Sequence, residues 1–259
     1  MPITVIDTTD NAIVSDSHYE DRVNLAACFR MSARLGLNEG VGNHFSYAIS
    51  EDGQQFLMNP FGRHFSNIRA SDLMLLDAND ERTMERAHKP DPTAWAIHGA
   101  MHRNVSQARC VMHLHSKYAT VLATLADSRL PPVDQNAMRF FNRVTIDDGF
   151  DGMGLDQEGE RLSTMLSEDR VMVMGSHGVM VVGETIARTF DELFYFERAC
   201  ENYIIALTTG KALRVASDVV AEKTAQQWDE ICSGSVGFAD AHLAQMREIL
   251  DREEPDYKL

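Results

Sequence analysis

The sequence has little of what membrane proteins, disulfide-stapled scaffolds and nucleic-acid binders are built on. No apolar run approaches the ~20 residues that a membrane-spanning helix needs, so no span is expected. Only four cysteines occur, Cys28, Cys110, Cys200 and Cys232, scattered and without a C-x-x-C pair. They read as reduced packing residues, not as a disulfide framework or a thiolate zinc site. Basic residues number 24 against 39 acidic ones, a formal net charge of −15, and they form no cluster. Phosphate backbones are gripped through such clusters, so nucleic acid is not an expected partner. The opening MPITVIDTTDNAIVSD has neither a basic leader nor a long apolar segment. No secretory signal is read there, and cytoplasmic residence is the expectation. Internal repeats and linkers rich in Pro, Gly or Ser are missing too.

What is present suits one globular α/β body. A chain of 259 residues with 44 % hydrophobic content buries roughly 70–75 % of its unfolded surface, so it needs no staple. Apolar spacing predicts a helix over 19–35, stopped by Gly36, then a strand in which Phe45, Tyr47 and Ile49 alternate with polar neighbours. Glu51, Asp52 and Gly53 form a turn, and 55–58 returns as a hairpin. Pro92 opens a helix over 93–101, and Cys110 to Leu114 reads as a buried strand followed by a helix over 118–126. Pro131 and Pro132 begin a stretch, to about Leu155, whose Gly and Asp content predicts loop. A helix over 157–166, strands at 171–174 and 179–182, and a long helix over 184–208 follow. Residues 217–252 read as amphipathic helix interrupted near Gly234 and Gly237. The expected organisation is an arm over 1–16, a main body over 17–212, and a helical extension of the same domain over 213–259.

Two short motifs carry the chemistry. In VMHLHS, strand geometry puts His113 and His115 on one face and Met112 and Leu114 on the other. Paired imidazoles at the end of an apolar strand can begin a tetrahedral metal site; they can equally be two histidines bonded to backbone in a half-buried strand. In VMVMGSHGVMVVG, His177 sits between Gly175 and Gly178, where a strand end can project it into a cleft. Three such ligands would leave a fourth position open for substrate, as catalytic sites require.

HLHSKYATVLATL, followed by GSHGVMVVGETIARTFDELFYFERACENYIIAL, closely resembles the class II aldolase/adducin family. The earlier segments GVGNHFSYAIS, MNPFGRHFSNIRASDLMLLD and TAWAIHGAMHR fit in the same order, from about Tyr19 to Leu207. The resemblance implies a single three-layer α/β/α domain with a central mixed sheet. It also implies a zinc-type site at His113, His115 and His177, and a homotetramer with sites at subunit interfaces. Manganese, iron and cobalt suit the same imidazoles. The loop Asn59 to Gly62 resembles the family's substrate loop, and Gly42 and Asn43 approximate its phosphate-binding turn. The serines that hold substrate phosphate fall at Pro92 and Thr93, which leaves Asn59, Gly62 and Thr93 as the substrate-binding candidates. The family's sugar-phosphate aldolases carry a Glu where this chain has Ala94. Alanine transfers no proton, which puts the usual aldol cleavage in doubt and makes an unphosphorylated acid the better substrate. Glu39, in LNEGVGNHFS, resembles a Glu of the non-aldolase branch and is the candidate replacement acid; its bland alternative is a turn-capping surface residue. Asp91 and Asp134 are weaker candidates, and Arg139 and Arg143 could clamp a carboxylate or lie on the surface.

The expected function is therefore a divalent-metal lyase, of aldolase or decarboxylase type, acting on a small oxo- or hydroxy-acid or carbonyl compound through a metal-stabilised enolate. The contrasting reading is a non-catalytic adducin-like binding module, whose membrane-skeletal relatives carry a basic tail where this chain reads DREEPDYKL. A third is an iron-dependent oxygenase, disfavoured because the third ligand is a histidine and not a carboxylate.

Overall fold

The computed structural model describes residues 18–80, 82–149, 152, 155, 157–233 and 237–259; the expected arm over 1–16 lies outside them. Helix α1 (Tyr19–Arg34) leads into the hairpin β1 (His44–Ala48) and β2 (Gln55–Met58), then β3 (Met74–Asp77). Helix α2 (Pro92–Asn104), β4 (Cys110–Leu114), α3 (Lys117–Ala123) and α4 (Gln135–Arg139) come next. They are followed by β5 (Val144–Asp147), α5 (Glu158–Leu166), β6 (Val171–Met174), β7 (Gly178–Gly183), α6 (Ile186–Thr208), α7 (Asp218–Ser233) and α8 (Phe238–Glu253).

The strands form one sheet in the order β3-β2-β1-β4-β7-β6-β5. Every neighbouring pair is antiparallel except β5 with β6, so the sheet is mixed. Alternation along the strands divides the core in two. Cys110, Met112, Leu114, Val179 and Val181 face the layer containing α1, α3, α6 and α8. Val111, Met172, Met174, Met180 and Val182 face α2 and α5. Burial on both faces is why the central strands read as continuous apolar runs. Among the described residues no helix is long and apolar enough to cross a membrane.

The stretch over 131–155, expected as loop, instead contains α4 and β5. Asp134 caps α4 by accepting from the Ala137 N–H at 2.7 Å. β5 is a four-residue edge strand that takes its shape from pairing with β6. Gly53, at φ +69°, closes the β1–β2 turn against the end of α2. A Cβ there would lie 2.1 Å from the His102 carbonyl oxygen, so only glycine permits this approach.

Candidate metal centre

Antiparallel pairing brings three strand ends to one place. His44 at the start of β1 pairs with His113 near the end of β4, and Leu114 pairs with Val179 near the start of β7. His177 precedes β7 in a tight loop whose Ser176 adopts φ +57°. Gly178 allows that loop to close, because a Cβ there would sit 2.5 Å from the Leu114 carbonyl and 3.0 Å from the His115 ring. The exit of β4 is fixed from the other layer. Buried Glu197 of α6 accepts from Ser116 Oγ at 2.7 Å, the Tyr118 N–H at 2.8 Å and the Ala119 N–H at 2.9 Å, capping α3 directly after His115.

One ring nitrogen from each of His113, His115 and His177 lies within 4.8 Å of the others. Ring centroids are 4.8–4.9 Å apart in all three pairs. His113 Nε2 and His115 Nε2 stand 3.0 Å apart. Two imidazoles on one zinc, with Zn–N near 2.0–2.1 Å, place their nitrogens about 3.3 Å apart, so the donor set fits a divalent ion.

The electrostatics favour lone pairs over charge. Burial pushes His113 well below the ordinary histidine range, and neighbouring His44, His177 and His115 push it further. Burial, then His115, brings His177 down to about 4. Glu39 Oε2 accepts from His115 Nδ1 at 2.7 Å. A carboxylate can only accept here, so His115 carries a hydrogen on Nδ1, and Nε2, the nitrogen free to bind a metal, is the one turned toward His113. His113 Nδ1, by contrast, is buried with no partner. That ring is oriented by packing, stacked on His44 at 4.9 Å between centroids.

The other sequence candidates scatter. Glu39 belongs to a turn closed by its own N–H on Asn43 Oδ1 at 2.6 Å, and its mostly exposed side chain reaches His115. Asn59 is buried and tied to backbone: its Oδ1 accepts from the Phe45 N–H at 3.1 Å and its Nδ2 donates to the Asn43 carbonyl at 3.3 Å. Gly62, at φ +74°, lines a cleft of about 630 Å³ with Phe61, Arg63, His64 and His88; the three clustered histidines are not part of its lining. Thr93 and Asp91 form the start of α2, Asp91 Oδ1 accepting from the Thr93 N–H at 2.8 Å. Ala94 is buried against Ala48, Phe56, Met58 and Leu76. Arg139 and Arg143 are occupied by Asp191, Glu192, Glu222 and Asp229, so neither is a free carboxylate clamp.

Sequence reasoning missed a second set, His44, Ser46, His98 and His102, all buried behind His113. Burial holds His44 and His102 down at about 4 and pushes His98 well below the ordinary histidine range, so the rings are neutral near pH 7. The available signal was positional: His44 and Ser46 are two apart on a strand, and His98 and His102 four apart on a helix.

The family model for the Class II Aldolase and Adducin N-terminal domain matches residues 23–204. A Streptomyces niveus protein named decarboxylase NovR is 28 % identical, over 90 % of this chain and 88 % of its own. A Streptomyces roseochromogenus protein named 4-hydroxy-3-prenylphenylpyruvate oxygenase/4-hydroxy-3-prenylbenzoate synthase is 27 % identical, over 90 % of this chain and 86 % of its own. The crystal structure of an aldolase II superfamily protein from Pseudomonas syringae superposes with a TM-score of 0.85 at 29 % identity, covering 95 % of this chain and 98 % of that one.

Proposed function

The chain belongs to the class II aldolase and adducin family, and from that premise we propose that it is a divalent-metal-dependent lyase acting on a small oxo- or hydroxy-acid or carbonyl compound. The observation that supports this reading is the convergence of His113, His115 and His177 nitrogens, with Glu39 orienting His115. These residues would hold zinc, or manganese, iron or cobalt in its place. A divalent ion bound there supplies Lewis acidity that stabilises negative charge developing on a substrate oxygen. Glu39 is the carboxylate of the site: it accepts from His115 Nδ1, and its side chain is mostly exposed. Asn59 holds the 59–62 loop against β1, and Gly62 and Thr93 are proposed to line the substrate's path.

Between cleavage types, decarboxylation is favoured over aldol cleavage. Ala94 is packed into an apolar cluster and offers no proton to a leaving group, and carbon dioxide leaves without needing one. The name of the Streptomyces niveus relative accords with this choice. The division into an arm over 1–16, a body over 17–212 and an extension over 213–259, and assembly as a homotetramer, belong to the same proposal. Packing of α8 on α1 and α6 supports treating the extension as part of the main domain.

Elemental analysis of untagged protein tests the reading directly. Wild type is expected to hold about one equivalent of zinc, manganese or iron per chain, lost in the His113→Ala, His115→Ala double variant. Carbon dioxide release from a panel of oxo- and hydroxy-acids then tests the reaction. Protein that stays empty after incubation with each metal would instead support a binding module on the same fold.

A further inference from the structure

A file of buried side chains runs from the histidine cluster between β1 and α2. His44 Nδ1 lies 2.7 Å from His98 Nε2, and His98 Nδ1 lies 2.5 Å from Ser46 Oγ. Ser46 Oγ lies 2.7 Å from His102 Nε2, and His102 Nδ1 lies 2.7 Å from the Ala108 carbonyl oxygen.

The far end fixes every hydrogen in the file. A carbonyl can only accept, so His102 donates from Nδ1. A neutral His102 then has a bare Nε2, which must accept the Ser46 hydroxyl hydrogen. With that hydrogen spent, Ser46 Oγ must accept from His98 Nδ1–H. His98 Nε2 is therefore bare and accepts from His44 Nδ1–H. One orphan remains, the lone pair on His44 Nε2. Among the described residues that atom has no hydrogen-bond partner, and as it is not among the fully buried unpartnered atoms it keeps a little exposure on a ring that is otherwise buried. His44 is stacked on His113, but it is not a member of the three-histidine group itself.

We propose that His102, Ser46 and His98 are positioning residues that lock His44 in its Nδ1–H form, so that Nε2 offers a hydrogen-bond acceptor to a substrate hydroxyl beside the metal position. The locking stands on the hydrogen-bond file alone; its use on substrate rests on the proposed lyase reading. It narrows the substrate class to hydroxy-acids and the enol forms of oxo-acids. A molecule presenting an ether oxygen at that point would set lone pair against lone pair.

Long-range ¹H–¹⁵N correlation spectra of histidine-labelled, metal-free protein near pH 7 read the tautomers directly. His44, His98 and His102 should all carry hydrogen on Nδ1, opposite to the form that predominates for free histidine in water. Hydrogen on His44 Nε2 would overturn the proposal. In Ser46→Ala, His102 should keep its form, while His98 and His44 become mixtures; a purely packing role for Ser46 would leave His44 unchanged. With zinc-loaded protein, glycolate should shift the His44 Nε2 resonance and methoxyacetate should not; equal responses would remove the acceptor role. Zinc content measured on the same samples separates the two failures. Wrong tautomers with bound zinc sink this inference alone, and correct tautomers in protein that binds no metal leave the file standing while the lyase reading falls.

Discussion

Two polar clusters are buried in this molecule, and they are built on opposite principles. Around Arg139 the groups are charged and paired with one another, although Arg139 Nη1 is a buried donor without a hydrogen-bond partner. Its guanidinium donates to Asp191 at 2.6 Å and Glu192 at 2.9 Å, lies over the Tyr195 and Trp228 rings, and Asp191 also takes a contact from His242 at 2.7 Å. This set joins α4, α6, α7 and α8. Behind His113 the groups are neutral histidines and a serine, wired in one direction and ending on lone pairs. A paired charged set fastens elements together, whereas a directional neutral set leaves an acceptor at its end. The first secures the helical layer, and the second is where chemistry can occur.

The comparison breaks most visibly at Arg139. Arg139→Met takes the shared cation from two buried carboxylates, leaving Asp191 with His242 and Glu192 with Arg188 and Arg170, and should destabilise the fold by about 3–5 kcal/mol in urea unfolding. Adding Asp191→Asn and Glu192→Gln should recover part of that loss. A deficit under about 1 kcal/mol would mean the cluster is not the fastening it is argued to be.

Acid should separate the two clusters. Burial lowers His44 and His102 from 6.5 to about 4. Their contribution is whole above pH 6.5 and lost as pH falls toward 4, on the order of 3 kcal/mol per ring. Asp191 is raised by burial but lowered more by His242 and Arg139, and ends below 3.8. Its contribution persists above that value and disappears only below it. Unfolding free energy of metal-free protein should therefore decline in two stages. His102→Gln should make the upper stage shallower, since His44, His98, His113 and His177 still contribute to it, and Arg139→Met should reduce the lower; a single decline below pH 4 would contradict the neutral wiring.

How far this was legible in the sequence depends on whether the cause was local. β4 matches its expected bounds because an apolar run covered on both faces advertises itself, and the 55–58 return strand follows from a turn written as Glu-Asp-Gly. α4 and β5 were lost among Pro, Gly and Asp because a five-residue helix and a four-residue edge strand take their stability from neighbours. His113, His115 and His177 were found as motifs, but only the resemblance suggested that they meet; strand pairing supplies the meeting. The His44 file was hidden because each of its spacings is ordinary alone. Packing of α2 under β1 makes it one object. Arg139, beside Phe140 and Phe141, looked equally able to clamp a substrate or sit in water, and the structure gives it a third place inside the core.

Glu39 tests the border between the clusters, being a charged group that serves a neutral one. Its Nδ1 contact on His115 resembles the outer carboxylates that tune metal-bound histidines, whose loss typically lowers affinity by about 10–100-fold. Glu39→Ala should weaken zinc binding by that factor in a chelator competition, with Glu39→Gln between it and wild type. Unchanged affinity would return Glu39 to a turn-forming surface role.

The smallest effect is expected at Ser176, where the scaffold aims His177. Its φ of +57° lies in the left-handed region, and its N–H donates to the Ala123 carbonyl at 2.9 Å while its side chain is exposed. An L-residue costs roughly 1–2 kcal/mol there, and glycine gives back about 0.5–1 kcal/mol in backbone entropy. Ser176→Gly should therefore stabilise by about 0.5–1 kcal/mol at most and leave zinc affinity intact, because the backbone path to His177 is unchanged. Ser176→Val should act in the opposite direction, since a β-branched side chain resists this conformation. If Ser176→Val weakens zinc binding as well as stability, the loop conformation is part of what places His177. Lost stability with intact affinity would mean that packing around His113 and His115 recruits His177 whatever the loop prefers.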